Sequence, residues 1–160
     1  EKMTPRSDSD SRERAASFAE AMNSVGLVPA ARCELSYTGS AVPNACADAY
    51  MASLRSAPPT PSAVVTDNES TLRCLQAAAH RAGIRVPEDL SLAALAMPPD
   101  HWAGIGDPLS GCCMDFSAMG HMAIAALERR SRYPTAPVRQ ERVPFRFCPG
   151  QTLAPLQAKS

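Results

Sequence analysis

Residues 61–95, with the sequence PSAVVTDNESTLRCLQAAAHRAGIRVPEDLSLAAL, decide the fold of this chain. A short β-branched run at 63–65 predicts a strand. The spacing of apolar residues then becomes helical, because Leu72, Leu75 and Ala79 recur at three- and four-residue steps and form one apolar stripe. Gly83 fits the end of that helix, where a residue tolerating positive φ is favoured. Residues 90–95 are apolar again and predict a buried strand. This order is a βαβ unit, which is typical of parallel sheets.

Two polar residues, Asp67 and Asn68, follow the first strand of this unit. In open parallel sheets, ligands bind outside the carboxyl ends of the strands. The position therefore predicts one wall of a binding site. The alternative for Asp67 is plain helix capping, since Asp and Asn are both strong N-caps.

Other elements are predicted on both sides of the βαβ unit. Before it we expect a helix capped by Asp10 and ending near Val25, a strand at 31–37, and a helix at 43–56 carrying Ala45, Ala49 and Leu54. After it we expect an irregular loop at 97–108, a short strand at 109–114, a helix at 116–130 with Asp115 as N-cap, and a strand at 142–147.

The composition describes one globular domain. The chain has 160 residues, of which 45% are hydrophobic and 20% charged. Acidic and basic residues balance at 16 each, so net charge gives no support for binding to nucleic acid or to a membrane surface. No apolar run approaches the roughly 20 residues that span a bilayer.

Six cysteines could form disulfides, but their spacings do not favour a framework. There is no CxxC pair, and Cys112 and Cys113 are adjacent. We therefore expect reduced and mostly buried thiols.

The run Gly-Ile-Arg-Val-Pro-Glu-Asp-Leu-Ser at 83–91 carries a resemblance to a known family. With the strand and helix before it, it resembles the effector-binding domain of LacI/GalR-type bacterial transcriptional repressors. Segments around Arg12, Pro108-Leu109-Ser110 and Thr152-Leu153-Ala154-Pro155 extend the resemblance over residues 11–155. It implies an α/β fold, namely the parallel-sheet, three-layer αβα lobe of a periplasmic-binding-protein-like fold.

The resemblance also implies a domain organisation. Residues 1–10 would be a disordered end, 11–155 the C-terminal lobe with its returning segments, and 156–160 a tail. The first lobe and the helix-turn-helix would be missing, and the helix within 109–131 would normally pack on that first lobe. We therefore expect another chain or a rearranged packing to cover its apolar stripe, which consists of Phe116, Met119, Ala123 and Leu127.

Carried over by position, the effector-binding residues would be Arg12, Tyr37, Asp67 and Phe116. Arginine and carboxylate suit hydroxyl groups, and an aromatic face suits the apolar side of a sugar. The alternatives are a solvated helix face for Arg12 and a core position for Phe116. The chain departs from the family where Ala94-Leu95-Ala96 replaces Gly-Phe/Tyr-Asp, because alanine cannot replace the hydrogen bonds of that aspartate.

The resemblance thus predicts a sensing and dimerisation domain for a small effector, sugar-like or nucleobase-like, in a cytoplasmic regulator. We expect a homodimer, contact with operator DNA only through a missing N-terminal helix-turn-helix, and no membrane partner. The alternative is a periplasmic-type solute-binding protein of the same fold. No catalytic motif, cofactor site or paired histidines are found, so we expect neither an enzyme nor a metal site.

Overall fold

A computed structural model describes residues 8–28, 33, 35, 42–98 and 108–155. Within these residues the chain forms four helices and four strands. In chain order they are α1 (Asp8–Ser24), α2 (Asn44–Ser56), β1 (Ala63–Thr66), α3 (Glu69–Arg81), β2 (Ser91–Met97), β3 (Gly111–Cys113), α4 (Phe116–Arg132) and β4 (Arg146–Cys148).

The strands form one sheet in the order β1-β2-β3-β4. β1 pairs in parallel with β2, from Ala63 opposite Ser91 to Thr66 opposite Ala94. β2 pairs in parallel with β3, so the predicted βαβ unit and parallel sheet are confirmed. β4 pairs antiparallel with β3, with Gly111 opposite Cys148. The antiparallel edge reflects a chain that leaves the sheet after β3 and returns beside it.

The core lies where α2 and α3 pack on each other and α3 packs on β1 and β2. The predicted α3 stripe is confirmed, since Leu72, Leu75 and Ala79 are buried. For α2 the predicted face is wrong except at Leu54. Its other buried residues are Ala47 and Met51. Alanines lie on several faces of this helix, so its faces differ little in hydrophobicity.

The ends of α3 follow local backbone chemistry. The side chain of Asn68 accepts a hydrogen bond from the Thr71 N–H at 3.0 Å and is the N-cap. Gly83 follows the helix with φ of +69°, in the left-handed region that favours glycine. Its predicted role at the helix end is confirmed.

α1 and α4 lie outside the extensive packing among the described elements. α4 has no buried residue. Phe116, Met119 and Leu127 of its predicted stripe are exposed. Within the described residues no rearranged packing covers the stripe, so its burial by another chain stays a prediction.

Several predicted boundaries move. α1 begins at Asp8, so the predicted cap Asp10 lies inside the helix. Met97 belongs to β2 rather than to the following loop, and the last strand begins at Arg146. Most of the predicted strand at 31–37 and of the loop at 97–108 falls outside the described residues.

The prediction for the cysteines is wrong at two points. Cys113 and Cys148 form a disulfide, because the antiparallel pairing of β3 with β4 brings their Cα atoms to 6.1 Å. The four remaining thiols are not buried, since Cys33 is exposed and the others are half-exposed. Strand pairing between residues 35 positions apart is invisible in cysteine spacing.

Candidate functional site

The carboxyl edge of the parallel strands is the candidate site. β1 ends at Thr66, β2 at Met97 and β3 at Cys113. Because these strands run in parallel, their ends lie along one edge of the sheet. Asp67 follows β1, and Phe116 opens the helix that follows β3. Two strand spacings separate β1 from β3, which is roughly 10 Å across the sheet.

The turn after β1 holds the carboxylate of Asp67 in a defined orientation. Asn68 donates a side-chain hydrogen bond from Nδ2 to Asp67 Oδ1 at 2.9 Å. The buried Thr66 hydroxyl lies 2.9 Å from the Asn68 carbonyl oxygen, to which it donates, and so braces the same turn. Asn68 is the cap of α3, so the alternative reading of Asp67 as the helix cap is wrong. Asp67 is half-buried at the strand end.

Phe116 begins α4 directly after its N-cap. Asp115 Oδ1 accepts a hydrogen bond from the Ala118 N–H at 2.8 Å, as the sequence predicts. The Phe116 side chain is 48% exposed, so the alternative that places it in the core is wrong for this chain. An exposed aromatic ring beside a strand end can cover the apolar face of a sugar ring.

The structure brings Asp67 and Phe116 to one edge of the sheet. Arg12 is exposed on α1, which does not pack extensively on these strands. Tyr37 lies outside the described residues. Two of the four predicted effector-binding residues therefore share an edge in the described part of the chain.

Ala96 lies near the end of β2, between the other two strand ends. It is half-buried, and Met97 after it is buried. The middle of the edge thus carries methyl and thioether groups at the place where the resemblance implies a carboxylate. Among the described strand ends, Asp67 next to β1 provides a polar side chain at this edge.

An open groove of about 240 Å³ lies elsewhere, along α4. Met119, Met122 and Ala123 form one wall, and Arg139 and Val143 of the returning segment form the other. Arg12, Asp67 and Phe116, the three predicted site residues in the described part of the chain, do not line it. We place the candidate site at the strand ends, because the oriented carboxylate is there, whereas the groove lies between apolar side chains of α4 and the returning segment.

Among the described residues, no group of three or more His, Cys, Asp or Glu side chains could hold a metal ion. The described helices include none with the length and apolarity needed to cross a membrane.

Comparison with known proteins identifies the fold. Residues 2–153 match the family described as periplasmic binding protein-like domain. No curated protein matches the sequence. The solved structures that match include a LacI family transcriptional regulator from Bifidobacterium animalis subsp. lactis, with 22% identity and a TM-score of 0.71. The match covers 90% of this chain and 50% of that one.

Two further matches contain sugars. A LacI family regulator from Enterococcus faecium, with bound ribose, has 21% identity and a TM-score of 0.72, over 91% of this chain and 52% of that one. A LacI family regulator from Arthrobacter, in complex with lactose, has 20% identity and a TM-score of 0.68, over 92% of this chain and 55% of that one. The chain thus spans about half the length of these structures. The predicted fold is confirmed, and the chain belongs to the periplasmic binding protein-like domain family.

Proposed function

We propose that this chain is the C-terminal lobe of the effector-binding domain of a LacI/GalR-type transcriptional regulator. The observation that carries the proposal is the match of nearly the whole chain to about half of several LacI family regulators. The family match over residues 2–153 supports the same assignment. The role is sensing rather than catalysis, in the cytoplasm.

The effector is a small polar molecule of the sugar class, with a nucleobase as the other chemistry the site suits. Asp67 accepts hydrogen bonds from hydroxyl groups of the effector, and Arg12 donates hydrogen bonds to the effector. Phe116 covers an apolar face, with Tyr37 as a second aromatic platform. The orientation of Asp67 by Asn68 and the exposure of Phe116 support these roles. So do the ribose and lactose bound by two structural relatives.

The exposed stripe of α4 packs on a first lobe that completes the cleft. The stripe is apolar and uncovered in this chain, which is costly in water. Effector binding between the lobes favours the closed form. Closure then changes the geometry of a homodimer that contacts operator DNA through an N-terminal helix-turn-helix, which couples two distant sites.

The coding sequence upstream of this chain tests the assignment directly. We expect a first lobe preceded by a helix-turn-helix. An upstream signal peptide in place of the helix-turn-helix would overturn the regulatory role, because it would direct the protein out of the cell.

Calorimetric titration of the two-lobe protein with ribose, lactose and adenine tests the site. Asp67→Asn should weaken binding of the active compound at least tenfold, because a charge-assisted hydrogen bond is lost. The matched control is Glu88→Gln, an exposed acid at the opposite end of β2. Equal affinities of the two variants for the compound would show that Asp67 does not contribute to binding. The chain of 160 residues alone should respond weakly or not at all, since it spans only about half the length of the sugar-bound relatives.

A further inference from the structure

Residues 114–145, which contain α4, form an excursion that leaves the sheet after β3 and returns at β4. Two adjacent segments connect it to the sheet, 108–113 on the way out and 146–154 on the way back. We call this pair of segments the neck. Its segments pair antiparallel from Gly111 opposite Cys148 to Cys113 opposite Arg146.

Further hydrogen bonds hold the neck at its sheet end. The Gly150 N–H donates to Ser110 Oγ at 3.0 Å, and the Gln151 N–H donates to the Pro108 carbonyl at 2.7 Å. The buried Thr152 hydroxyl donates to the Leu92 carbonyl at 2.7 Å and so joins the neck to β2. These bonds lie on the side of the neck away from the excursion.

The neck controls the position of α4. α4 has no buried residue and takes no part in the extensive packing among the described elements. The ion pair of Arg129 with Glu141 joins α4 only to its own returning segment. The connection between excursion and sheet therefore runs mainly through the neck.

The disulfide between Cys113 and Cys148 crosses the neck at β3 and β4. Both residues are buried, at 5% and 7% exposure. Cys148 lies on β4, the edge strand of the described sheet, so local opening of this strand exposes the bond to a small thiol. The pair is thus both held together by the fold and reachable through a limited motion.

Cys112 is not a third member of this pair. Successive residues of a strand point to opposite faces of a sheet, so the Cys112 side chain lies on the face away from Cys113. Its partner across the ladder is Phe147. Cys112 therefore provides a matched control, because it is a cysteine adjacent to Cys113 that forms no disulfide.

We propose that Cys113 and Cys148 form a reversible, redox-sensitive link that locks the neck when oxidised. The inference rests on the proposed function, which places the chain in the cytoplasm. Cytosolic thiols are kept reduced, and disulfides there are usually transient and redox-sensing. A pair that the fold holds at disulfide distance, across the main connection between the sheet and α4 in the described part of the chain, is suited to that use.

The chemistry is thiol–disulfide exchange with a small-molecule disulfide. One protein thiolate attacks the small disulfide, forms a mixed disulfide and releases one small thiolate. The second protein thiolate attacks the mixed bond, closes the Cys113–Cys148 bond and releases the second small thiolate. Two electrons pass from the protein dithiol to the small disulfide, and the two protein protons are released to solvent or to the departing thiolates. Reduction by two small thiols reverses these steps.

Oxidation closes a covalent loop between residues 35 positions apart, which limits the motion of the whole excursion. After reduction the described links are the short ladder, the hydrogen bonds at the sheet end and the one from the Met114 N–H to the Met97 carbonyl. In the two-lobe protein, the oxidised link would oppose any lobe movement that requires the neck to flex.

Glutathione buffers provide the first test, on the purified chain. At a cytosol-like excess of reduced glutathione, we expect thiol alkylation and mass spectrometry to find Cys113 and Cys148 alkylated. Oxidised glutathione should protect both through the bond between them, whereas Cys112 should be either alkylated or carry a glutathione adduct, which its added mass identifies. A bond that persists in excess reduced glutathione, or one that never forms with oxidised glutathione, would overturn the proposal.

Hydrogen exchange provides the second test. Reduction of the wild-type chain should speed exchange of the neck amides several-fold and leave the α3 amides unchanged. Cys148→Ser should exchange at the fast rate in both buffers, and Cys112→Ser should behave like the wild type. Equal neck exchange in oxidised and reduced wild type would refute the locking role. Neither test involves effector or DNA, so the upstream sequence still decides the proposed function separately.

Discussion

Gly111→Ala offers a sharp test of the packing between β2 and β3. Gly111 is buried and paired with Ala94. A Cβ atom at this position would lie 2.9 Å from the Ala94 backbone nitrogen and closer still to its carbonyl oxygen. Real Cβ atoms do not approach backbone that closely, so one strand must shift. The shift strains the hydrogen bond from the Ala94 N–H to the Ser110 carbonyl, which measures 3.1 Å.

Overpacking of a core usually costs about 1–3 kcal/mol. We expect the upper end, about 3 kcal/mol, because the obstructing atoms belong to backbone rather than to a flexible side chain. For a chain of this size, that corresponds to a fall of about 6–12 °C in the melting temperature. The assay is urea unfolding followed by circular dichroism, with the disulfide kept oxidised in every sample.

Gly120→Ala is the matched control for this substitution. Gly120 lies inside α4, and a Cβ atom there would meet nothing within 4 Å. Alanine should stabilise this helix by about 0.5–1 kcal/mol, since glycine is a poor helix former. A Gly111→Ala variant within about 0.5 kcal/mol of wild type would refute the close approach of the strands. Insolubility of that variant beside a soluble Gly120→Ala would support it.

Four further outcomes are expected. Leu72→Ala, at a fully buried position, should lower the free energy of unfolding by about 3 kcal/mol in the same assay, and a loss below about 1 kcal/mol would contradict its core role. Thr152→Val should cost about 1–3 kcal/mol, because the Leu92 carbonyl and the Ser110 N–H lose their partner, whereas Thr60→Val at an exposed position should cost little. Reduction of the disulfide should lower the unfolding free energy by up to about 4 kcal/mol for a separation of 35 residues, and Cys148→Ser should abolish that redox dependence while Cys112→Ser retains it. Hydrogen bonds from Arg85 lower the pKa of Asp89 to about 2. The stabilisation from this pair should therefore be complete above about pH 5 and be lost as the pH falls towards 2, and a carboxyl NMR titration that gives Asp89 an ordinary pKa of about 3.9 would contradict it.

The predictability of the fold followed the strength of local signals. α3 combines a regular apolar stripe, a capping residue and a terminal glycine, and its position was predicted closely. α2 carries alanines on several faces, so the sequence indicated its existence but not the side it buries. The face of α2 that is buried, with Ala47 and Met51, is determined by its packing on α3, which lies further along the chain.

The candidate site, too, was predictable from the sequence only in part. Asp67 could be predicted because a polar residue follows an apolar strand in a βαβ unit. The division of roles between Asp67 and Asn68 could not, because either residue can cap a helix. It depends on the backbone path after Thr66, which brings the Asn68 side chain to the Thr71 N–H. The exposure of Phe116 likewise depends on where α4 lies relative to the sheet.

The sequence by itself determined the βαβ unit, the α/β class and the family, because periodicity, caps and a nine-residue run are properties of neighbouring residues. Only the tertiary structure decided the antiparallel return of β4, the Cys113–Cys148 link and the close packing of Gly111 on Ala94. Each of these joins residues at least 17 positions apart. Their contact depends on strand order and register, which arise from the packing of the whole sheet rather than from any local pattern.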